Sequence, residues 1–224
     1  MKKVERSEIV DYVTYEERRD RVRDSAMRAK GERRVHVGPH LTFLFENHET
    51  IHYQVQEMTR AERMVKEAEI VHEIETYNEL LGGPGEVGCT LLVELDDPAA
   101  RAEKLTKWLA LPKHLYAKRA DGTKAYARYD ERQVGETRVS SVQYLKFEVG
   151  PKAPVAIGCD HPDPELHHET TLNDAQRAAL QRDLEEQRGK IRSHGLPGLR
   201  GGHGGACVRG PPGPLRGDRP VPRV

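Results

Sequence analysis

Cysteine is scarce in this chain. Its 224 residues include Cys89, Cys159 and Cys207 and no others, far apart and without a C-x-x-C pair. That spacing argues against a disulfide framework and points to a reducing, cytoplasmic setting. Long apolar runs are missing too. No stretch of about 18 apolar residues exists, so no membrane-spanning helix is expected. The opening MKKVERSEIV has basic residues but no apolar stretch of the secretory kind. Net charge is absent, with 36 basic against 36 acidic residues. The balance is uneven along the chain. Residues 189–224 hold seven Lys/Arg and one Asp, which leaves 29 basic and 35 acidic residues in the body. A mildly acidic body argues against a dedicated nucleic-acid binder. There is no P-loop, no G-x-G-x-x-G after a strand and no G-x-S-x-G elbow.

What is present is a mixed pattern of helices and strands. Residues 7–12 suit a helical turn. Thr14 and Glu17 have capping-box spacing and open a helix from Tyr15 to about Lys30, closed by Gly31. Val35 and Val37 alternate with polar neighbours, Gly38-Pro39 breaks the run, and Leu41, Phe43 and Phe45 alternate again, so two strands are expected. Helical spacing of Ile51, Val55, Met58, Ala61 and Val65 predicts a helix over 50–67. Ile70, Ile74, Tyr77 and Leu81 form a second stripe out of phase with the first, so a kink or turn should separate the two helices. Cys89 to Leu95 reads as a buried strand. Asp97-Pro98 caps a helix to about Leu109. Strands over 115–119 and 124–129 flank a D-G turn at Asp121-Gly122. Further strands are expected over 142–149 and 155–159. Asn173 with Gln176 opens a helix to about Gln187. Seven strands and five helices define an α+β fold with a mixed, mainly antiparallel sheet, in a single domain over residues 1–188. Residues 189–224, with ten Gly and six Pro, predict a disordered tail, read as a non-adaptive extension rather than a basic arm.

The helix over 50–67 breaks its own pattern. At about 100° per residue, Gln54 and Glu62 fall inside the apolar stripe and Glu57 on its edge, whereas Arg60 and Arg63 point away. A carboxylate facing a core needs an ion-pair partner, a metal or a ligand. One reading pairs Glu62 with Arg33 or Arg34. The other makes Gln54, Glu57 and Glu62 a cleft in which a glutamate serves as general base.

The histidine pairs His36/His40 and His48/His52 have four-residue spacing, but the first sits on strands and the second straddles a helix start, so solvated histidines are expected rather than a zinc site. Glu-x-x-His, the di-iron carboxylate spacing, occurs at Glu49/His52, Glu69/His72 and Glu165/His168. That chemistry needs four facing helices, which this pattern does not provide. No metal ligand is assigned. Asp160-His161-Pro162 closes a predicted strand and is either a turn opener or an acid–base position.

The block VGPHLTFLFE, followed by TIHYQVQEMTRAER, resembles the bacterial family catalogued as domain of unknown function 3501. The resemblance continues through Tyr77-Asn78, residues 90–94, SSVQYLKFEV and Asp160-His161-Pro162, and covers residues 7–186. Its most specific part is the run from Gln54 to Glu62. His40, Glu46, Gln54, Glu57, Arg60 and Glu62 match the family pattern; His36, His48 and His52 do not. The family implies no activity and no cofactor. Its members look to be encoded near rubrerythrin-like and iron–sulfur oxidoreductase proteins, which implies a redox- or iron-linked setting and such proteins as partners. Three functional readings follow. The leading one is a cytoplasmic accessory or binding protein in such a pathway, with Gln54, Glu57, Arg60 and Glu62 binding a ligand. The second is a small-molecule hydrolase or lyase with Glu57 or Glu62 as base and His40 or His161 as acid. The third makes the polar set purely structural.

Overall fold

The structure, a computed structural model, describes residues 1–193, apart from the side chains of Arg132 and residues 188–193. After a 3₁₀ turn (Arg6–Glu8), the chain forms α1 (Tyr12–Gly31), β1 (Arg34–Val37), β2 (Leu41–Phe45), α2 (His48–Ala61), α3 (Glu67–Asn78), β3 (Glu86–Val93) and α4 (Pro98–Lys107). A 3₁₀ turn (Leu111–His114) leads into β4 (Leu115–Lys118), β5 (Lys124–Tyr126) and β6 (Arg128–Tyr129). Then follow β7 (Val142–Glu148), β8 (Ala156–Cys159), β9 (His168–Thr171) and α5 (Asp174–Ser193). The fold is α+β, as expected. The strands form two sheets rather than one mixed sheet, with orders β1-β2-β3-β7-β6 and β5-β4-β8-β9. Every strand pairing among the described residues is antiparallel.

Among the described residues, nine strands stand where seven are expected, for identifiable reasons. The run over 124–129 crosses from one sheet to the other at Ala127, so one expected strand is two. β9 (HETT) has no large apolar residue to announce it and is half-exposed. Several caps fall as expected. Asp97 accepts from Ala99 N and Ala100 N, and Asn173 and Gln176 exchange two hydrogen bonds. The first helix differs: Asp11, not Thr14, is the N-cap, accepting from Val13 N and Thr14 N. Gly31 stays within that helix instead of closing it. α5 runs to Ser193, through residues 189–193 of the expected tail, and the rest of that tail lies outside the described residues.

The main core lies between the two sheets. Period-two alternation sends Phe43, Phe45, Leu91 and Phe147 inward from one sheet and Leu115, Ala117 and Ile157 from the other. Leu180 and Leu184 of α5 and Trp108 after α4 join them. Phe147 packs with Phe43 and Phe45 at centroid distances of 6.4 and 6.3 Å. Each such side chain contributes about 1.5–3 kcal/mol on full burial. A bidentate pair, Arg33 Nε and Nη2 to Asp183 at 2.8 and 2.9 Å, ties α5 to the residue before β1.

The opposite face of the larger sheet meets α2 and α3, which share a second apolar cluster with the N-terminal segment. Among the described residues that segment has no strand partner, so its buried backbone must bond elsewhere. Two side-chain amides supply both a donor and an acceptor. Asn78 bonds Val4 N and O at 2.8 and 2.9 Å, and Gln56 bonds Val10 N and O at 2.9 and 3.0 Å. His48 and His52 are half-buried against the same segment, not solvated: His48 Nε2 lies 3.1 Å from Glu8 Oε1, and His52 Nε2 donates to the Glu8 carbonyl at 3.0 Å.

Candidate functional site

The polar set on α2 is assembled differently from its helical wheel. α2 stops at Ala61, and Met64 N–H closes on the Thr59 carbonyl at 2.9 Å, with Arg63 in the left-handed region at φ 50°. Glu62 is therefore the exposed C-cap residue, not a member of the apolar stripe, and Arg33 pairs with Asp183 instead. Gln54 is half-buried; the sealed amide is that of Gln56. Glu57, expected at the stripe edge, is 3% exposed. Its Oε1 accepts from Tyr15 Oη and Arg19 Nε, both at 2.8 Å. Its Oε2 accepts from Arg19 Nη2 at 3.2 Å and from Arg60 Nη2 at 3.3 Å. Burial pushes the Glu57 carboxyl up, but the Arg19 and Tyr15 hydrogen bonds win and hold it below the usual range. With two donors on each oxygen and its charge neutralised, Glu57 has no free lone pair for a substrate proton.

Behind this set, Glu46 follows β2 and is buried, with Thr50 Oγ1 and Thr90 Oγ1 at 2.5 and 2.6 Å. Burial pushes its carboxyl up. Lys30 is buried over the Tyr53 ring at 4.9 Å, and burial pulls its ammonium down.

His40 precedes β2, at the end opposite Glu46, and does not join Glu57. It belongs to a second constellation, built by the loop between β8 and β9. Asp160 directly follows β8, and its N–H bonds the His114 carbonyl at 3.0 Å. Asp160 Oδ1 accepts from His114 Nδ1 at 3.2 Å; Oδ2 accepts from Lys124 Nζ at 2.9 Å and Tyr126 Oη at 2.7 Å. Partial burial works against the charge, but these three donors pull the carboxyl down to about 2. His161 is buried, its Nδ1 accepts from Asp163 N at 3.1 Å, and its ring stands at 78° to His114 with centroids 5.0 Å apart. Burial, then the neighbouring His114, hold His161 below the usual imidazole value.

Asp163 extends the strip. Its Oδ2 accepts from Trp108 Nε1 at 2.8 Å and Lys107 Nζ at 2.9 Å, and Lys107 above all keeps it ionised. On the far side of Trp108, His40 Nε2 lies 3.1 Å from Glu165 Oε2, and Lys104 also pairs with Glu165. The His40 ring is 5.5 Å from the Trp108 ring. Two glycines permit this packing. Gly158 lets Tyr116 lie across β8, where a Cβ would meet the ring at 2.5 Å; Gly38, at φ 62°, leaves room for the His168 ring.

The structure thus joins His40 and His161 through Trp108 and Asp163, and separates both from Glu57. Sequence reasoning missed His114, Lys104, Trp108, Lys124 and Tyr126, which converge from other elements. The one available signal was the run DHPDPE, three acids spaced by prolines in a short loop. Among the described residues, no group of three or more His, Cys, Asp or Glu is arranged to hold a metal ion. The Glu-x-x-His pairs are dispersed: Glu49 takes the Ser25 hydroxyl, and Glu165 takes His40 rather than His168. Cys89 and Cys159 are buried free thiols; burial raises Cys159 to about 11 and pushes Cys89 well above its ordinary value, so neither is a ready thiolate. A separate surface depression of about 510 Å³, lined by Lys152, Asp174, Arg177 and Gln181 among others, shares no residue with either constellation. No helix of the described residues is long and apolar enough to cross a membrane.

Comparison with known proteins identifies the family. A family model described as Protein of unknown function (DUF3501) matches residues 3–184, and the chain belongs to that family. It is similar to a solved structure, described as a novel protein of unknown function from Burkholderia pseudomallei. The similarity is 27% identity with a TM-score of 0.75, over 82% of this chain and 100% of that one. No curated protein matches.

Proposed function

We propose that the protein is a cytoplasmic binding protein that receives a small polar ligand on the surface formed by residues 160–168 with His114, Lys124 and Tyr126. One observation carries this reading. Asp160 gathers three donors from two separate elements, the turn before β4 and β5, and no hydrogen bond among the described residues engages the Nε2 of His114 or of His161. Such preorganisation of side chains around unspent donor and acceptor positions suits recognition. The opposite holds at Glu57, whose saturated oxygens support a structural role for the α1–α2 polar set over ligand binding or base catalysis there. The buried free thiols support a reducing compartment. Work beside rubrerythrin-like or iron–sulfur proteins in a redox-linked pathway completes the proposal and rests on family resemblance alone.

Imidazole ¹⁵N spectra of the full chain test the site against a panel of small carboxylates, amides and carbonyl compounds. Shifts confined to His114 and His161, and lost in Asp160→Ala with the fold intact by circular dichroism, are expected. Shifts mapping to the depression around Arg177, or none across the panel, would refute it. A native pulldown tests the redox setting; recovery without redox proteins counts against it.

A further inference from the structure

The ligand surface contains two imidazoles whose tautomers are opposite. An ionised carboxylate only accepts, so Asp160 requires the hydrogen of His114 on Nδ1. Neutral His114 then presents a lone pair at Nε2. At His161 the backbone N–H of Asp163 donates to Nδ1, so the hydrogen of the neutral ring sits on Nε2. Centroids 5.0 Å apart leave no room for a molecule between the rings. A ligand therefore approaches from the solvent side, where the His114 side chain is 32% exposed. It meets one basic nitrogen on His114 and one N–H donor on the more deeply buried His161, on rings whose centroids are 5.0 Å apart.

This pairing selects a class of chemistry. A neutral imidazole that gave up its proton would become an imidazolate, so His161 is suited to donate a hydrogen bond, not a proton. It can stabilise an oxyanion but cannot protonate a leaving group. We propose that His114 and His161 serve proton transfer at carbon beside a carbonyl, with His114 Nε2 as the base and the His161 Nε2–H as the oxyanion donor. The substrate class is a small carbonyl compound with an acidic α C–H. In the step, the α C–H bond breaks and its proton goes to His114 Nε2. The released pair forms a C=C bond, and the carbonyl π pair moves to oxygen, which His161 holds. The resulting His114 imidazolium rests against the Asp160 carboxylate, itself held by Lys124 and Tyr126. Return of a proton from His114 Nε2 to the same carbon, after that nitrogen has traded its hydrogen with solvent, gives exchange. No oxidant or reductant is needed. Asp160 is a positioning residue, setting the tautomer without touching the substrate.

This inference rests on the ligand surface proposed above, and one experiment separates the two. Full-length protein is incubated in D₂O with pyruvate or hydroxyacetone, and loss of the α-proton signal is followed by NMR while the imidazole ¹⁵N shifts report binding. Exchange above buffer is expected, falling about 100-fold or more in His114→Ala. In Asp160→Asn exchange should fall, and the His114 ¹⁵N pattern should leave the Nδ1–H form, a change that a merely structural role would not produce. Binding shifts without exchange would overturn the chemistry and leave the surface standing. Exchange that persists in His114→Ala, or an Nδ1–H form at His161, would also overturn it. Neither shifts nor exchange would overturn both.

Discussion

Removing the charge of Glu57 while keeping its shape isolates what that residue does. In Glu57→Gln, Tyr15 Oη, Arg19 and Arg60 lose the anion that they share. Breaking a fully buried ion pair costs about 3–5 kcal/mol. Here the carboxylate is sealed, but the Arg19 and Arg60 side chains are 29% and 31% exposed and can rehydrate. The expected loss is therefore smaller, about 2 kcal/mol, and about 3 kcal/mol for Glu57→Ala, which adds a cavity. In a chain of this size that corresponds to a fall in Tm of roughly 2–4 °C per kcal/mol. The loss should depend on pH. The folded Glu57 carboxyl lies below its ordinary value of 4.5. Its contribution is full above that value and disappears as pH falls through the folded one. Denaturant midpoints of wild type and Glu57→Gln should therefore converge on acidification and stay apart at about pH 7. A variant within about 0.5 kcal/mol of wild type at about pH 7 would refute the structural assignment. So would a gap that persists in acid.

Three further outcomes are expected. Asp183→Ala strands the buried Arg33 guanidinium and should cost about 3–5 kcal/mol by urea denaturation, while replacing both residues with apolar ones of similar volume should cost less. Glu46 is held above its ordinary value by burial, so its contribution is full below 4.5 and fades as pH rises through the folded value. Stability of Glu46→Gln relative to wild type should thus grow between about pH 5 and about pH 8, read from denaturant midpoints. Arg63→Gly relieves a left-handed backbone at φ 50° and should raise Tm, with a gain of about 0.5–1 kcal/mol once the greater freedom of unfolded glycine is deducted.

Much of the fold was legible because local rules governed it. The Asp97-Pro98 start, the Asn173/Gln176 box and the Asp121-Gly122 turn depend on residues within a few positions of one another, and each forms where expected. The α2–α3 break was visible as a phase change, but its position was not. The left-handed turn residue is Arg63, where glycine is the usual marker, so the wheel ran on and carried Glu62 into the stripe. The split between β5 and β6 left no mark either, since a strand that changes sheets keeps its alternation.

The candidate site was the least legible part. His40, His161 and the loop acids were visible as unusual residues, yet their neighbours were not. His114 meets Asp160 and Trp108 meets Asp163 across long stretches of chain. Likewise, Gln56 and Asn78 read as ordinary polar helix residues until the N-terminal segment is laid across them. The chain by itself determined which segments are helix or strand, which faces are apolar and where several caps lie, because spacing and capping act over a few residues. Tertiary structure alone decided that Glu57 is neutralised by Arg19, that two sheets enclose the core, and that two imidazoles from separate elements stand in opposite tautomers. The physical reason is that burial and hydrogen-bond partnership, unlike periodicity, are fixed by which distant segments meet.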